Sequence, residues 1–189
     1  MILALVLAAV TAAAESPDDR LFRLGGENHV LQMRLHDQFF ENATNRARLK
    51  GDGFASACTA HFLAFRKVEP KYAEGLRPIV VQSMRDVVPA ERLSAAKVSI
   101  GHDPAIVAWK NRVQDSIKAK GASLLANAAA DYDLQLPSQL ERAGKLSLPA
   151  PVSLDRSAMN APQLAIACFT YFGNNREAIL AEAKDGDTL

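Results

Sequence analysis

NHVLQMRLHDQFFENATNRARLKGDGFASACTAHFLAF, residues 28–65, places two helical faces on either side of a glycine break. On a helical wheel Val30, Leu31, Met33, Leu35, Phe39, Phe40, Ala43 and Ala47 share one arc. Arg34, Asp37, Gln38, Glu41, Asn45 and Arg48 share the other, which is the period of an amphipathic helix. Gly51-Asp52-Gly53 stops this helix, as glycine just past a last turn does. A second helix starts near Phe54, with Phe54, Cys58, Phe62 and Phe65 on one stripe. Two such helices must bury their apolar faces against each other and against further helices, so the expected fold class is all-α.

Outward from this pair the chain supplies the rest of a bundle. Pro70 ends or kinks the second helix, and a further helix is expected from Pro78 to about Val87, although β-branched Ile79, Val80 and Val81 also suit a strand. Pro89 closes it, and Ala90 to Val98 is a short helical candidate. Asp103 followed by Pro104 is an N-cap and first helical position, opening the clearest helix, along which Ile106, Val113, Ile117, Leu124 and Ala128 line one face. From Asp133 to Asp155 the periodicity disappears among Pro137, Pro149 and Pro151, so residues 133–155 read as an irregular strap that acts as a lid, a partner surface or a plain connection. Gln163 to Phe172 is apolar nearly all round and reads as a central buried helix ended by Gly173. Asn174 and Glu177 cap a last helix to about Lys184. The expectation is a compact bundle of five to six helices with one long strap, occupying residues 28–184, followed by a disordered tail at 185–189.

Cys58 and Cys168 are the two cysteines of the chain. No Cys-x-x-Cys suggests redox chemistry, and a disulfide is the simpler reading. It would close a loop of roughly 110 residues, an entropic stabilisation on the order of 4–5 kcal/mol. The first residues agree with an oxidising compartment. Residues 1–14 run from an apolar stretch, Ile2 to Val10, into Ala12-Ala13-Ala14, the pattern of a signal peptide cut after Ala14. This run is shorter than the ~20 residues a membrane-spanning helix needs. Residues 15–27, ESPDDRLFRLGGE, read as a flexible lead. The expected destination is the periplasm or the exterior, with no integral membrane span in the mature form. The 22 Lys and Arg residues against 21 Asp and Glu leave a formal net charge of +1, which disfavours a nucleic-acid partner.

Candidate chemistry rests on histidine. His29 and His36 lie inside the apolar arc of the first helix, and His61 lies in that of the second, one turn from Cys58. Imidazoles on facing helices are how bundles hold zinc, copper or haem iron. His36 and His61 form the leading candidate pair, with His29 and Met33 in reserve. A ligand site there requires the two side chains about 4–7 Å apart around a void, whereas ordinary packing leaves them as buried, hydrogen-bonded core residues. His102 sits in a loop before Asp103, where exposure is expected. No catalytic residue is assigned, and no cofactor is expected on the leading reading.

That reading is a helical binding protein of the bacterial envelope, acting without catalysis on another envelope or secreted protein, an inhibitor being one form. Two alternatives stand beside it. One is a carrier of a metal, haem or small ligand between the first two helices. The other is a cell-envelope enzyme with His102 or a carboxylate pair in an open cleft.

Overall fold

The computed structural model describes residues 15–185. The expected signal segment and residues 186–189 of the expected tail lie outside the described residues. Every regular element among the described residues is helical. They are α1 (Pro17–Leu24), α2 (His29–Glu41), α3 (Ala43–Lys50), α4 (Phe54–Val87), α5 (Ala90–Ala95), a 3-10 turn at Val107–Trp109, α6 (Lys110–Lys120), α7 (Ala122–Ala143) and α8 (Ala161–Asp185). The all-α architecture holds. Cys58 of α4 and Cys168 of α8 are at disulfide distance, their Cα atoms 5.4 Å apart. No helix among the described residues is long and apolar enough to cross a membrane.

The axis of the bundle is α4, against which α1, α2, α3, α6, α7 and α8 all pack. At 1.5 Å per residue it spans about 50 Å. The expected stop at Pro70 and restart at Pro78 do not occur, because the helix runs through both. Both prolines lie on exposed positions eight residues apart, and each frees the carbonyl four residues back, on exposed Arg66 and Glu74. Val68, Tyr72, Leu76, Val80 and Met84 are buried on the opposite side. Burial of that face outweighs the two lost backbone bonds and settles residues 76–88 as helix through Val87.

The lead at 15–27 also differs from expectation, since most of it is α1. Ser16 caps the helix by accepting the Asp19 amide at 3.1 Å, Pro17 takes the first turn, and Asp18 and Asp19 follow where the helix dipole favours acid. The helix is fastened to α4 by the ion pairs Arg77 to Asp19 and Arg85 to Asp18. Arg20 donates to the carbonyls of Leu93 and Ala96 at 2.9 and 2.8 Å. The single helix expected across residues 28–50 is divided at Asn42, whose side-chain oxygen accepts from Thr44 and Asn45 amides at 3.0 and 3.1 Å and so begins α3.

Asp103 caps a turn rather than the long helix. Its carboxylate accepts from the amides of Lys97 at 2.6 Å and Ala105 at 2.8 Å, knitting the loop together. The long helix starts at Lys110 and is divided at Gly121. A Cβ there would stand 2.8 Å from the Ile117 carbonyl oxygen and 3.1 Å from Leu76 Cδ2, so glycine lets α6 and α7 turn against α4. Beyond it α7 continues through exposed Pro137 to Ala143, held by burial of Tyr132, Leu136, Gln139 and Ala143. The irregular strap is therefore 144–160, not 133–155.

The last correction concerns α8. It passes through Gly173 without interruption, so the expected break and new cap at Asn174 are absent. It buries one stripe, Leu164, Cys168, Tyr171, Ile179 and Ala183, and leaves Ile166 and Phe169 exposed. It is an outer helix, and the central place belongs to α4.

Candidate functional site

The two leading histidines meet. His36 Nδ1 lies 2.7 Å from His61 Nε2, and His61 Nδ1 lies 2.6 Å from the Tyr132 hydroxyl. The chain of three thus joins α2, α4 and α7. The antiparallel return about Gly51 puts α4 beside α2 in the register that brings position 61 opposite 36. The long contact of α4 with α7 supplies the tyrosine.

One proton arrangement satisfies the Tyr132 hydroxyl and both hydrogen bonds of the chain. The Tyr132 hydroxyl is buried against His61, so its proton goes to His61 Nδ1. His61 then carries its own proton on Nε2 and donates it to His36 Nδ1, and the remaining proton of neutral His36 sits on Nε2. In the reverse arrangement the tyrosine proton has no acceptor, at the cost of a buried unsatisfied donor.

Aromatic rings enclose the chain. Phe39 stacks on His61 with centroids 4.4 Å apart and planes 13° from parallel. Phe65 stacks on His36 at 5.4 Å, and Phe169 of α8 meets His36 edge-on at 4.9 Å. Burial, with the neighbouring His29 adding to it, holds the His36 imidazole down at about 4. Burial followed by the proximity of His36 pushes His61 well below its ordinary value. Burial first, and Asp133 second, raises the Tyr132 hydroxyl above the usual tyrosine range. All three groups are neutral at pH 7.

This is the geometry of a packed hydrogen-bonded chain. The ring centroids of His36 and His61 are 4.9 Å apart, within the separation a ligand site requires, but the rings touch edge to face and share a proton where a void was required. Two nitrogens on one tetrahedral zinc, each at about 2.05 Å, stand about 3.3 Å apart, wider than the 2.7 Å here. Met33 packs against the core, and His29 belongs elsewhere. Among the described residues no three or more His, Cys, Asp or Glu side chains converge on one point. Tyr132 was missed by sequence reasoning; it is buried on the inner face of α7.

His29 instead borders a cleft of about 510 Å³ with His102, Ser99 and Lys110. Burial, then the Lys110 charge, lowers the His29 pKa. His102 is exposed, and its Nδ1 lies 2.9 Å from the Ser99 hydroxyl. The same two residues share a backbone bond, His102 N–H to Ser99 C=O at 2.9 Å, which makes the pair a turn. Among the described residues no carboxylate is hydrogen-bonded to the His102 imidazole to orient it, as a nucleophile and base would need.

Two larger concavities are present. A polar cleft of about 640 Å³ between α3 and α7 carries Arg48, Asp133 and Glu141, charges of both signs. The other is a groove of about 570 Å³ between the strap and α8, lined by Phe54, Val152, Leu154, Met159, Ile166 and Tyr171 among others. Val152 is 72% exposed, Leu154 52% and Ile166 66%, and Phe169, one turn along α8 from Ile166, is 38% exposed. Cys168 and Tyr171 anchor the α8 wall, whereas the strap is held by few bonds, chiefly Tyr171 O–H to the Pro149 carbonyl at 2.9 Å. No protein-family model matches the chain, and no curated protein or solved structure shows significant similarity to it.

Proposed function

We propose that this domain is an exported binding protein of the bacterial envelope, engaging another protein through the groove between the strap and α8. The observation that carries the reading is the collection of large aliphatic side chains left in water around one groove: Val152, Leu154 and Ile166. Scattered apolar residues on a surface need no explanation, whereas several lining one concavity mark a docking site. A fixed wall on α8 and a lightly held strap suit closure around a partner segment. The cysteine pair fits an oxidising compartment, and the signal-like residues 1–14 fit export to it. The carrier alternative is weakened by the direct contact of His36 with His61, and the enzyme alternative by the turn that absorbs His102 and Ser99.

Site-specific photocrosslinking in the cell that makes the protein tests the reading. A photoreactive phenylalanine at position 166 is expected to trap one discrete protein, and the same residue at exposed Lys118 on α6 is expected to trap none. Equal crosslinking at both positions, or none at 166, overturns it.

A further inference from the structure

Resting on that reading, we infer that the partner segment entering the groove is a peptide stretch bearing a carboxylate beside aliphatic side chains, and that the carboxylate pairs with Arg156. The guanidinium of Arg156 lines the groove, its carbon 4.3 Å from the centroid of the Phe54 ring. Stacked in this way, its face is occupied and its edges are left for hydrogen bonding. Its Nη1 donates to the Val152 carbonyl at 3.4 Å, a long bond, and its Nε is buried without a partner.

The other cations near carboxylates are paired: Arg23 with Glu15, Arg77 with Asp19, Arg85 with Asp18, Lys120 with Asp86. Among the described residues no carboxylate lies within ion-pair distance of Arg156. The adjacent Asp155 is committed to its own turn, accepting from the Ser157 amide at 2.9 Å and the Ser157 hydroxyl at 2.6 Å. Among its described lining residues the groove therefore holds one half-buried cation, Arg156, no anion, and a mixture of apolar side chains with neutral Gln163, Thr170, Asn174 and Asn175. An occupant supplying a carboxylate gains a charge-assisted, bidentate bond in a partly dry site, and one supplying Lys or Arg is repelled.

The strap decides for a peptide rather than an acyl chain. The amides of Val152, Ser153 and Leu154 make no backbone hydrogen bond among the described residues. Val152 and Leu154 line the groove, and an extended peptide entering it would pair with such amides. A hydrocarbon tail would cover those groups without bonding them.

A random peptide library displayed on phage, panned on the intact disulfide-bonded protein, tests this directly. The expected selection is a short motif with Asp or Glu at fixed spacing from aliphatic residues. Replacing that acid by its amide in the selected peptide is expected to weaken binding to the unaltered protein roughly tenfold or more. Arg156→Gln is expected to weaken the acidic peptide to the same degree and to leave the amide peptide unaffected, while Arg156→Lys keeps part of the affinity. Apolar peptides that bind equally with acid or amide, and compete at Ile166, overturn the carboxylate and leave the groove standing. Peptides that bind Ile166→Asp as well as the unaltered chain, or no selected peptide at all, overturn both.

Discussion

His61 receives the hydroxyl proton of Tyr132 across 2.6 Å, from a residue 71 positions further along the chain. The bond fixes the tautomer of His61 and, through it, the proton between His61 and His36. The bundle is thus held by a polar chain inside an aromatic cluster, satisfied only while neutral.

Tyr132→Phe removes the donor and leaves His61 Nδ1 buried without a partner. The expected loss is about 1–3 kcal/mol in urea unfolding, with the same helical content by circular dichroism. A change within a few tenths of a kcal/mol would mean that the hydroxyl and imidazole are not bonded.

Acid should weaken the fold before the carboxylates titrate. His36 sits at about 4 when folded, while an unfolded histidine titrates near 6.5, so the folded state binds fewer protons between these values. Stability is therefore full above pH ~6.5 and falls as pH drops towards 4, by about 3 kcal/mol from His36 alone; His61, lowered in the same direction, adds to the loss. The lowered carboxyls of Asp86 and Asp131 act at lower pH, because their contribution persists until they protonate. Urea midpoints at pH 7, 5.5 and 4.5 should fall steadily, and fall less steeply in His36→Gln, where His61 remains. A midpoint constant across this range would contradict the buried neutral pair.

Cys58→Ala with Cys168→Ala should cost about 2–5 kcal/mol, because the link ties the outer helix α8 to the axis α4. The unreduced chain should weigh two mass units less than the reduced one. Equal masses would remove the link.

Pro70→Ala and Pro78→Ala should each stabilise the protein, by up to about 3 kcal/mol, by restoring a backbone donor inside a helix that is already continuous. Thermal unfolding reads the change. Destabilisation by both would mean that the prolines shape α4 in a way its packing needs.

The helical hairpin of residues 28–65 and the His36 to His61 pairing were legible because they depend on local period and a short turn. Continuity was not. Pro70, Pro78, Pro137 and Gly173 look like stops, yet each lies on an exposed position while the opposite face is buried, and packing outweighs propensity there. The helix α1 was missed: Ser16-Pro17-Asp18-Asp19 carries a cap signal, but the glycines that follow made residues 15–27 read as a flexible lead. Tyr132 could not be assigned without knowing that α7 lies along α4, since no local spacing relates it to His61. Exposure of Ile166 and Phe169 was hidden for the same reason, because a helix apolar on several sides gives no sign of which side meets water.

The most direct measurement is native mass spectrometry of the protein taken without reducing agent from the cells that make it, beside the Ile166→Asp variant. The chain is expected in complex with one other protein, and bare when Ile166 is replaced. A bare chain in both, or an added mass of a metal or small molecule in place of a protein, would contradict it.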